Sequence, residues 1–435
     1  MPIPFIFYVI ENGAPPWLAN NAWLIAKTVT TLAALYFIRS YAAGARNTSE
    51  RDMHGKVVLM TGGTSGIGGH TAYELAKRGA QLILLTRNPL GEAYVADYVQ
   101  DLRNRTGNNL IYAENVDFAS LHSVRTFATK WINNTPPRRL DMIVLCGAAM
   151  TTPGNSMRTT ADGIEESWQV NFLSNFHLLS ILSPAIKVQP FDRDVRVVYA
   201  TCSAYISSPN LTDGPLMLAK KDWTAAKAFA KSKLAMMTFL MAFQKHLDAY
   251  KRPDGLPMNS RVLVVDPGLA RTPSMRRWLT RGSLWGLLLY ILGYFFPWLL
   301  LKSPEESSQS LLYACMDQSL GGNMMGEAVR EMRLVKECMP VDFARKDLND
   351  EQVAKRVWEE SDKLVEKIEK EQAQVRARAK KAEEEAKKAE EEKRKLEEID
   401  DLVKAIKKGK KAEAQKEKAK QRKKGKTVSF MDANK

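Results

Sequence analysis

Between an apolar run and a helical stretch, residues 56–80 read KVVLMTGGTSGIGGHTAYELAKRGA. Three of the glycines have tasks that a larger residue performs badly. Gly62 permits a tight turn, Gly66 lets backbone come close to a pyrophosphate, and Gly68 lets the following helix pack on the strand. The start of that helix offers free N–H groups and a partial positive charge to phosphate oxygens. A glycine motif alone is weak; its position between strand and helix favours a dinucleotide site over a plain structural turn. Arg87, in LLTRNP, ends the second apolar run, where a site for an unphosphorylated ribose carries an acid. A guanidinium suits a 2′-phosphate, so the expected cofactor is NADP(H). Asp117 closes the third run and has two readings: a hydrogen bond to an adenine amino group, or a cap for the helix SLHSVRTFATKW.

These residues need a scaffold. From Lys56 to about Pro340, short apolar runs (KVVLM, QLILLT, NLIYAENVD, LDMIVLCG, VRVVYATC, RVLVVDPG) alternate with longer helical stretches. That alternation predicts an α/β fold, a doubly wound Rossmann-type parallel sheet, in one domain. The 435-residue chain then divides into an anchor segment at 1–50, the nucleotide-binding domain at 51–345 and a charged tail at 346–435. In the anchor segment, AWLIAKTVTTLAALYFI at 22–38 is just long enough to cross a bilayer if its ends snorkel. Arg39, Arg46, Arg51 and Lys56 follow it and only Glu11 precedes it, which puts the domain in the cytosol; an amphipathic or buried helix is the alternative. A second apolar stretch, SLWGLLLYILGYFFPWLLL at 283–301, carries no charge, with Arg276, Arg277 and Arg281 before it and Lys302 after it. The next segment, SPEESSQSLLYACM, must return to the same sheet, so a single crossing would strand it across the bilayer. With Pro297 breaking any helix, the stretch is expected to dip into a membrane surface or to form a greasy substrate lid, a buried core helix being the plainer alternative.

The formal charge of +15 is uneven: residues 401–435 hold 13 Lys/Arg against 4 Asp/Glu, so the basic balance is largely a property of the tail. Ile368, Val375, Ala382, Ala389, Leu396 and Val403 keep a seven-residue spacing. A coiled coil also needs apolar partner positions, and Ala379, Ala386, Lys393 and Asp400 are small or charged. A solvated single helix is expected instead, with support from pairs such as Glu383 with Lys387 and Glu384 with Lys388. The end of the tail, KKGKKAEAQKEKAKQRKKGK, is expected to be unstructured, either a plain solvated tail or one that touches anionic lipid or RNA. With almost no aromatic residues there for stacking on bases, no specific nucleic acid is expected. Cys146, Cys202, Cys315 and Cys338 have no paired spacing, which fits a reducing compartment and gives neither a disulfide framework nor a metal site.

The chain resembles the short-chain dehydrogenase/reductases, and their retinol-dehydrogenase-like branch in particular. The likeness rests on Thr61-Gly62-x-x-x-Gly66-x-Gly68, NVDFASLHSV, WQVNFLSNF, SKLA, VDPGLARTP, KSPEESSQSLLYA and VWEESDKLVE, and covers about residues 55–366. It implies cofactor contacts from Gly62, Thr64, Ser65, Gly66, Ile67, Gly68, Arg87, Asp117, Lys233, Pro267 and Gly268. It also implies hydride exchange between nicotinamide and a carbonyl carbon, with a tyrosine donating the proton, a lysine lowering its pKa, a serine orienting the carbonyl and an asparagine completing a water relay. Asn171 and Lys233 match the asparagine and the lysine. Cys202 falls at the serine position with Ser203 one residue on, and a thiol is a poor donor to a carbonyl. The tyrosine position, four residues before the lysine, holds Phe229, which has no proton to give. The family's NNAG stretch is altered as well, to Cys146-Gly147-Ala148-Ala149.

Two readings follow. One is a membrane-associated NADP(H)-dependent oxidoreductase for a lipophilic alcohol, aldehyde or ketone, weak or unusual in activity, with Tyr205, Ser203, Lys231 or water supplying the proton. The other is a non-catalytic NADPH-binding scaffold or sensor. The branch suggests the endoplasmic reticulum or lipid droplets, with a mitochondrial membrane as the alternative, and the family often forms homodimers.

Overall fold

In the computed structural model the described residues are 13, 16–89, 91–212, 214–321 and 332–431. The N-terminal residues 1–12, including Glu11, lie outside them. The six apolar runs form the expected parallel strands: β1 (Val57–Thr61), β2 (Gln81–Thr86), β3 (Ile111–Asn115), β4 (Met142–Leu145), β5 (Val195–Ala200) and β6 (Ser260–Asp266). Two further strands, β7 (Leu334–Lys336) and β8 (Met339–Val341), make the sheet order β3-β2-β1-β4-β5-β6-β7-β8. Every pairing is parallel except β7 with β8. That hairpin turns through Glu337 and Cys338, both at positive φ, and three-residue strands around such a turn give too little alternation to be read in advance. Pro340 is tolerated in β8 because it is an edge strand.

Strands β1 and β4 are buried throughout, as a sheet covered on both faces requires. On one face α2 (Gly66–Lys77) packs against α10 (Pro304–Met316) over a core that includes Val58, Met60, Leu75, Leu82, Leu311 and Leu312. On the other, α4 (Leu121–Ile132), α5 (Ser174–Lys187) and α6 (Ala225–Asp248) pack in series, with Phe172, Phe176, Phe239 and Phe243 in edge and tilted ring contacts. Chain direction reverses its spread between β1 and β4, so a crevice opens beyond their carboxyl ends.

Helix α1 (Ala22–Ala43) is 22 residues long, about 33 Å, and none of its residues is buried. By length and composition it can cross a bilayer. The chain after it is stitched to the domain. Arg39 makes a two-oxygen contact with Glu306 at 2.5 and 2.7 Å. Ser49 donates to Asp317 at 2.6 Å, and Arg51 to Asp194 at 2.8 Å. The apolar stretch 283–301 is broken as expected, though at Gly293 rather than at Pro297: α8 (Leu284–Leu292) and α9 (Phe295–Leu300) are each too short to span. It is not a buried core helix, because Leu284, Trp285, Leu289, Leu292 and Phe296 are mostly exposed.

Residues Met1–Lys367 form one compact unit and Ile368–Lys435 a second. One helix, α11 (Glu351–Met431), supplies most of the latter. The expected unstructured end is helical as far as Met431, because Ala, Lys, Glu and Gln are strong helix formers and no proline interrupts them. Lys387 pairs with Glu383 at 2.7 Å, as its spacing predicts, whereas Glu384 faces Lys380 at 4.0 Å instead of Lys388.

Asp194 holds Arg196, whose side chain is fully buried, at 2.6 and 2.9 Å, and also binds Arg51. Asp194→Ala is therefore expected to lower stability by about 3–5 kcal/mol, because it leaves a guanidinium uncompensated in the interior. Chemical denaturation in detergent reads this out, and a loss below about 1 kcal/mol would contradict the assignment.

Candidate active site

The crevice beyond β1 and β4 is built on close backbone approach. Gly62 has φ +66°, and a Cβ there would lie 2.7 Å from the Gly147 nitrogen. Thr61 Oγ1 accepts from that same nitrogen at 3.0 Å, which ties the two strand ends together. A Cβ on Gly68 would run into the Gly62 carbonyl. Gly66, at φ +58°, faces Thr272 in the segment after β6, with 3.2 Å from its would-be Cβ to Thr272 Cγ2. Ser65 is exposed at the start of α2 and spends its side chain on no cap bond, Thr64 is half-buried, and Ile67 packs against the core. Two tyrosines of α3 (Ala93–Thr106) brace the loop: Tyr98 Oη donates to the Gly63 carbonyl at 2.8 Å and Tyr94 Oη to that of Thr64 at 3.2 Å. Burial, with Tyr94 nearby, pushes the Tyr98 hydroxyl up to about 12, so it remains a donor. The sequence reading missed both, since nothing in a helical tyrosine's spacing reveals a contact some 30 residues away.

The cradle fits a dinucleotide phosphate: its backbone is open where side chains would obstruct, and cations are at hand. Arg87 is exposed one residue past β2, and no described residue pairs with its guanidinium. The Asp117 carboxylate accepts from the Ala119 nitrogen at 2.9 Å and shapes the turn before α4, whose N-cap is Ser120. The helix-cap reading of Asp117 is therefore not met: Ser120 caps α4, and Asp117 serves the turn before it. After β6, Pro267 is buried, and Gly268, at φ +78°, donates to Asp266 at 3.0 Å.

The catalytic positions meet at α5 and α6. Asn171 sits in a π-type turn, Gln169–Leu173, just ahead of α5, the kind of local widening common at functional sites. It is fully buried and takes hold of Ala149, accepting from its nitrogen at 2.7 Å and donating to its oxygen at 2.9 Å. The same amide donates to Ser232 Oγ at 3.0 Å, and Ser232 donates to the Phe229 carbonyl at 2.8 Å. Lys233 is 4% exposed, and its ammonium donates to the Ala200 carbonyl at 3.0 Å. It lies 4.9 Å from the Tyr199 ring centre and 5.6 Å from that of Phe229. Burial holds its pKa below the usual lysine value, partly offset by the thiols of Cys202 and Cys146. Burial likewise raises Cys202, against the pull of Lys233. Ser203 is turned to Asp266, donating at 2.7 Å.

The alternative proton donors are engaged elsewhere. Tyr205 is buried, and its hydroxyl accepts from the Ala344 nitrogen at 3.2 Å. The Lys231 ammonium donates to the Pro215 carbonyl at 2.9 Å, with burial holding its pKa down. Water, or Lys233 itself, remains. Among the described residues no cluster of His, Cys, Asp and Glu has the form of a metal site.

A family model described as short chain dehydrogenase matches residues 56–205. An uncharacterized oxidoreductase of Schizosaccharomyces pombe is 40% identical over 381 residues, covering 85% of this chain and 97% of the relative. Retinol dehydrogenase 13 of Mus musculus is 33% identical, covering 77% of this chain and 91% of the relative. A polyprenol dehydrogenase of Mus musculus is 30% identical, covering 71% and 84%. With the glycine cradle at the β1–β4 switch point and relatives of this extent, the chain belongs to the short-chain dehydrogenase/reductase family of NAD(P)-using oxidoreductases, in its retinol-dehydrogenase-like branch.

Proposed function

We propose that the protein is a membrane-associated, NADP(H)-dependent oxidoreductase acting on a lipophilic alcohol, aldehyde or ketone, with turnover held down by Phe229. The observation that carries this is the pairing of an intact cradle with a half-kept catalytic set: Gly62, Gly66 and Gly68 keep their geometry and Asn171 and Lys233 are buried in place, while the tyrosine hydroxyl is gone and a thiol, Cys202, stands at the serine position. Gly62, Ser65, Gly66 and Gly68 would receive the pyrophosphate, Arg87 a 2′-phosphate, and Lys233 the nicotinamide ribose. The cofactor supplies the hydride. The ammonium of Lys233, in a pocket of one carbonyl and two aromatic faces, would be the acid that neutralises charge on a substrate oxygen. That a lipophilic substrate is taken is supported by the exposed leucines and aromatics of α8 and α9, and by relatives named for retinol and polyprenol. Attachment by α1, with the basic Arg39, Arg46 and Arg51 on the cytosolic side, suits the endoplasmic reticulum or lipid droplets, a mitochondrial membrane being the alternative.

A second reading, a non-catalytic NADPH-binding scaffold, is favoured by one observation: Ser203 and Lys231 donate to other partners, and Tyr205 is buried with its hydroxyl accepting from Ala344. Restoring the hydroxyl separates the two. Phe229→Tyr is expected to raise NADPH-dependent turnover of a lipophilic aldehyde at least about tenfold, within the range general acids contribute. No gain over wild type would count against a latent reductase and for the scaffold. Cofactor choice is tested by titration of the detergent-solubilised chain. NADPH should bind at least about tenfold more tightly than NADH, and Arg87→Ala should erase most of that difference, since the guanidinium–phosphate contact is charge-assisted. Equal affinities in wild type would refute the role given to Arg87.

A further inference from the structure

The segment between β5 and α6 begins at Cys202 and Ser203 and ends at Thr224, the N-cap of the helix that carries Phe229 and Lys233. Its carbonyls have no strand or long helix to satisfy them, and buried or half-buried carbonyls need donors. The donors come from about 140 residues away. Arg345 donates to the carbonyls of Tyr205 at 3.4 Å and Ser208 at 2.5 Å, and to Asn210 Oδ1 at 2.7 Å. Arg356, in the first turns of α11, donates to those of Leu211, Thr212 and Gly214 at 3.1, 2.7 and 2.7 Å. Each guanidinium is aimed by an acid of its own: Asp347 at 2.6 and 2.9 Å for Arg345, and Glu360 at 2.6 Å for Arg356. The Ala344 nitrogen adds a bond to Tyr205 Oη, and Lys231, two residues from the catalytic lysine, closes the far end on Pro215.

We propose that Arg345 and Arg356 are positioning residues that set the substrate side of the crevice from outside the nucleotide-binding core. The inference rests on the oxidoreductase reading for the word substrate, but the strap itself is a matter of hydrogen bonds. A fork is required: one guanidinium meets several carbonyls at fixed angles, and an ammonium on a flexible stem cannot reproduce that with the same charge. The segment between Ser203 and Thr224 is therefore shaped by residues of the C-terminal part of the domain, and a lipophilic chain lying against it meets a wall whose form two arginines hold.

The test uses the full chain in detergent micelles, with all-trans-retinaldehyde and NADPH as probes. Arg356→Lys keeps the charge and removes the fork. It is expected to raise the KM for retinaldehyde about tenfold while kcat and NADPH affinity change less than about twofold, and to speed amide exchange over 203–212 but not over 57–61. Arg345→Lys should do the same, most strongly at Tyr205 and Ser208, and serves if the first variant folds badly. Exchange over 203–212 unchanged from wild type overturns the proposal. So does exchange accelerated across the whole domain with NADPH affinity lost, which marks a merely structural role. If wild type does not turn over the aldehyde, the oxidoreductase reading suffers, and local exchange alone decides this one: accelerated only at 203–212 it stands, unchanged it falls.

Discussion

The crevice depends on one close approach, that of the Gly62 backbone to Gly147. Any side chain at 62 would put carbon 2.7 Å from an amide nitrogen, so the ends of β1 and β4 would have to separate. The consequences propagate along bonds already described. The Gly147 nitrogen is held by Thr61, and two residues on, both polar atoms of the Ala149 backbone are held by Asn171. Asn171 in turn holds Ser232, which holds the Phe229 carbonyl. The glycine cradle and the helix that carries Phe229 and Lys233 are thus two ends of one chain of contacts. This explains how the altered Cys146-Gly147-Ala148-Ala149 stretch is tolerated. Asn171 grips Ala149 through its backbone, and backbone is indifferent to the side chains that have changed.

The same chain of contacts leaves Lys233 in an unusual position. It is 4% exposed and meets one carbonyl and two aromatic faces, and among the described residues no carboxylate pairs with it. Cation–π contacts contribute about 0.5–2 kcal/mol each, against a desolvation penalty of several kcal/mol for a buried ion. The sign of the linkage follows. A lysine whose folded pKa is lowered binds its proton less tightly in the folded chain, so its charge works against folding below that pKa. The penalty is relieved as pH rises through the folded pKa toward the ordinary lysine value. A tyrosine hydroxyl at 229 would have offered a lone pair; Phe229 offers only its ring.

What the residues revealed in advance, and what they hid, divides by distance along the chain. The six parallel strands and the cradle glycines were legible because hydrophobic runs and turn chemistry are local. Asn171, Lys233 and Phe229 were singled out through motifs each spanning a few residues, and the structure brings these three positions together. The strap was not: Arg345 and Arg356 look like any other surface arginines until the fold brings them against carbonyls about 140 residues earlier. Tyr94 and Tyr98 were missed for the same reason. The end of the tail was expected to be unstructured and is helical as far as Met431, since Ala, Glu and Lys favour a helix.

The apolar insert brings the proposed membrane attachment to the cofactor crevice. Its two short helices expose Leu284, Trp285, Leu289, Leu292 and Phe296, a patch that water alone would leave unfavourably hydrated. Helix α9 packs on α1, where the Arg39 guanidinium lies 5.8 Å from the Trp298 ring centre, so the two apolar elements lie side by side. At its far end the insert returns through Lys302, whose backbone pairs with the segment after β6: its nitrogen donates to Leu269 and its carbonyl accepts from Arg271, both at 2.9 Å. That segment carries Gly268 and abuts Gly66 through Thr272. Two backbone hydrogen bonds thus join the end of the insert to the loop beside the cradle. A tether alone would need neither the Arg39–Glu306 pair nor this return; together they fix the apolar insert and the end of α1 to the domain that carries the crevice.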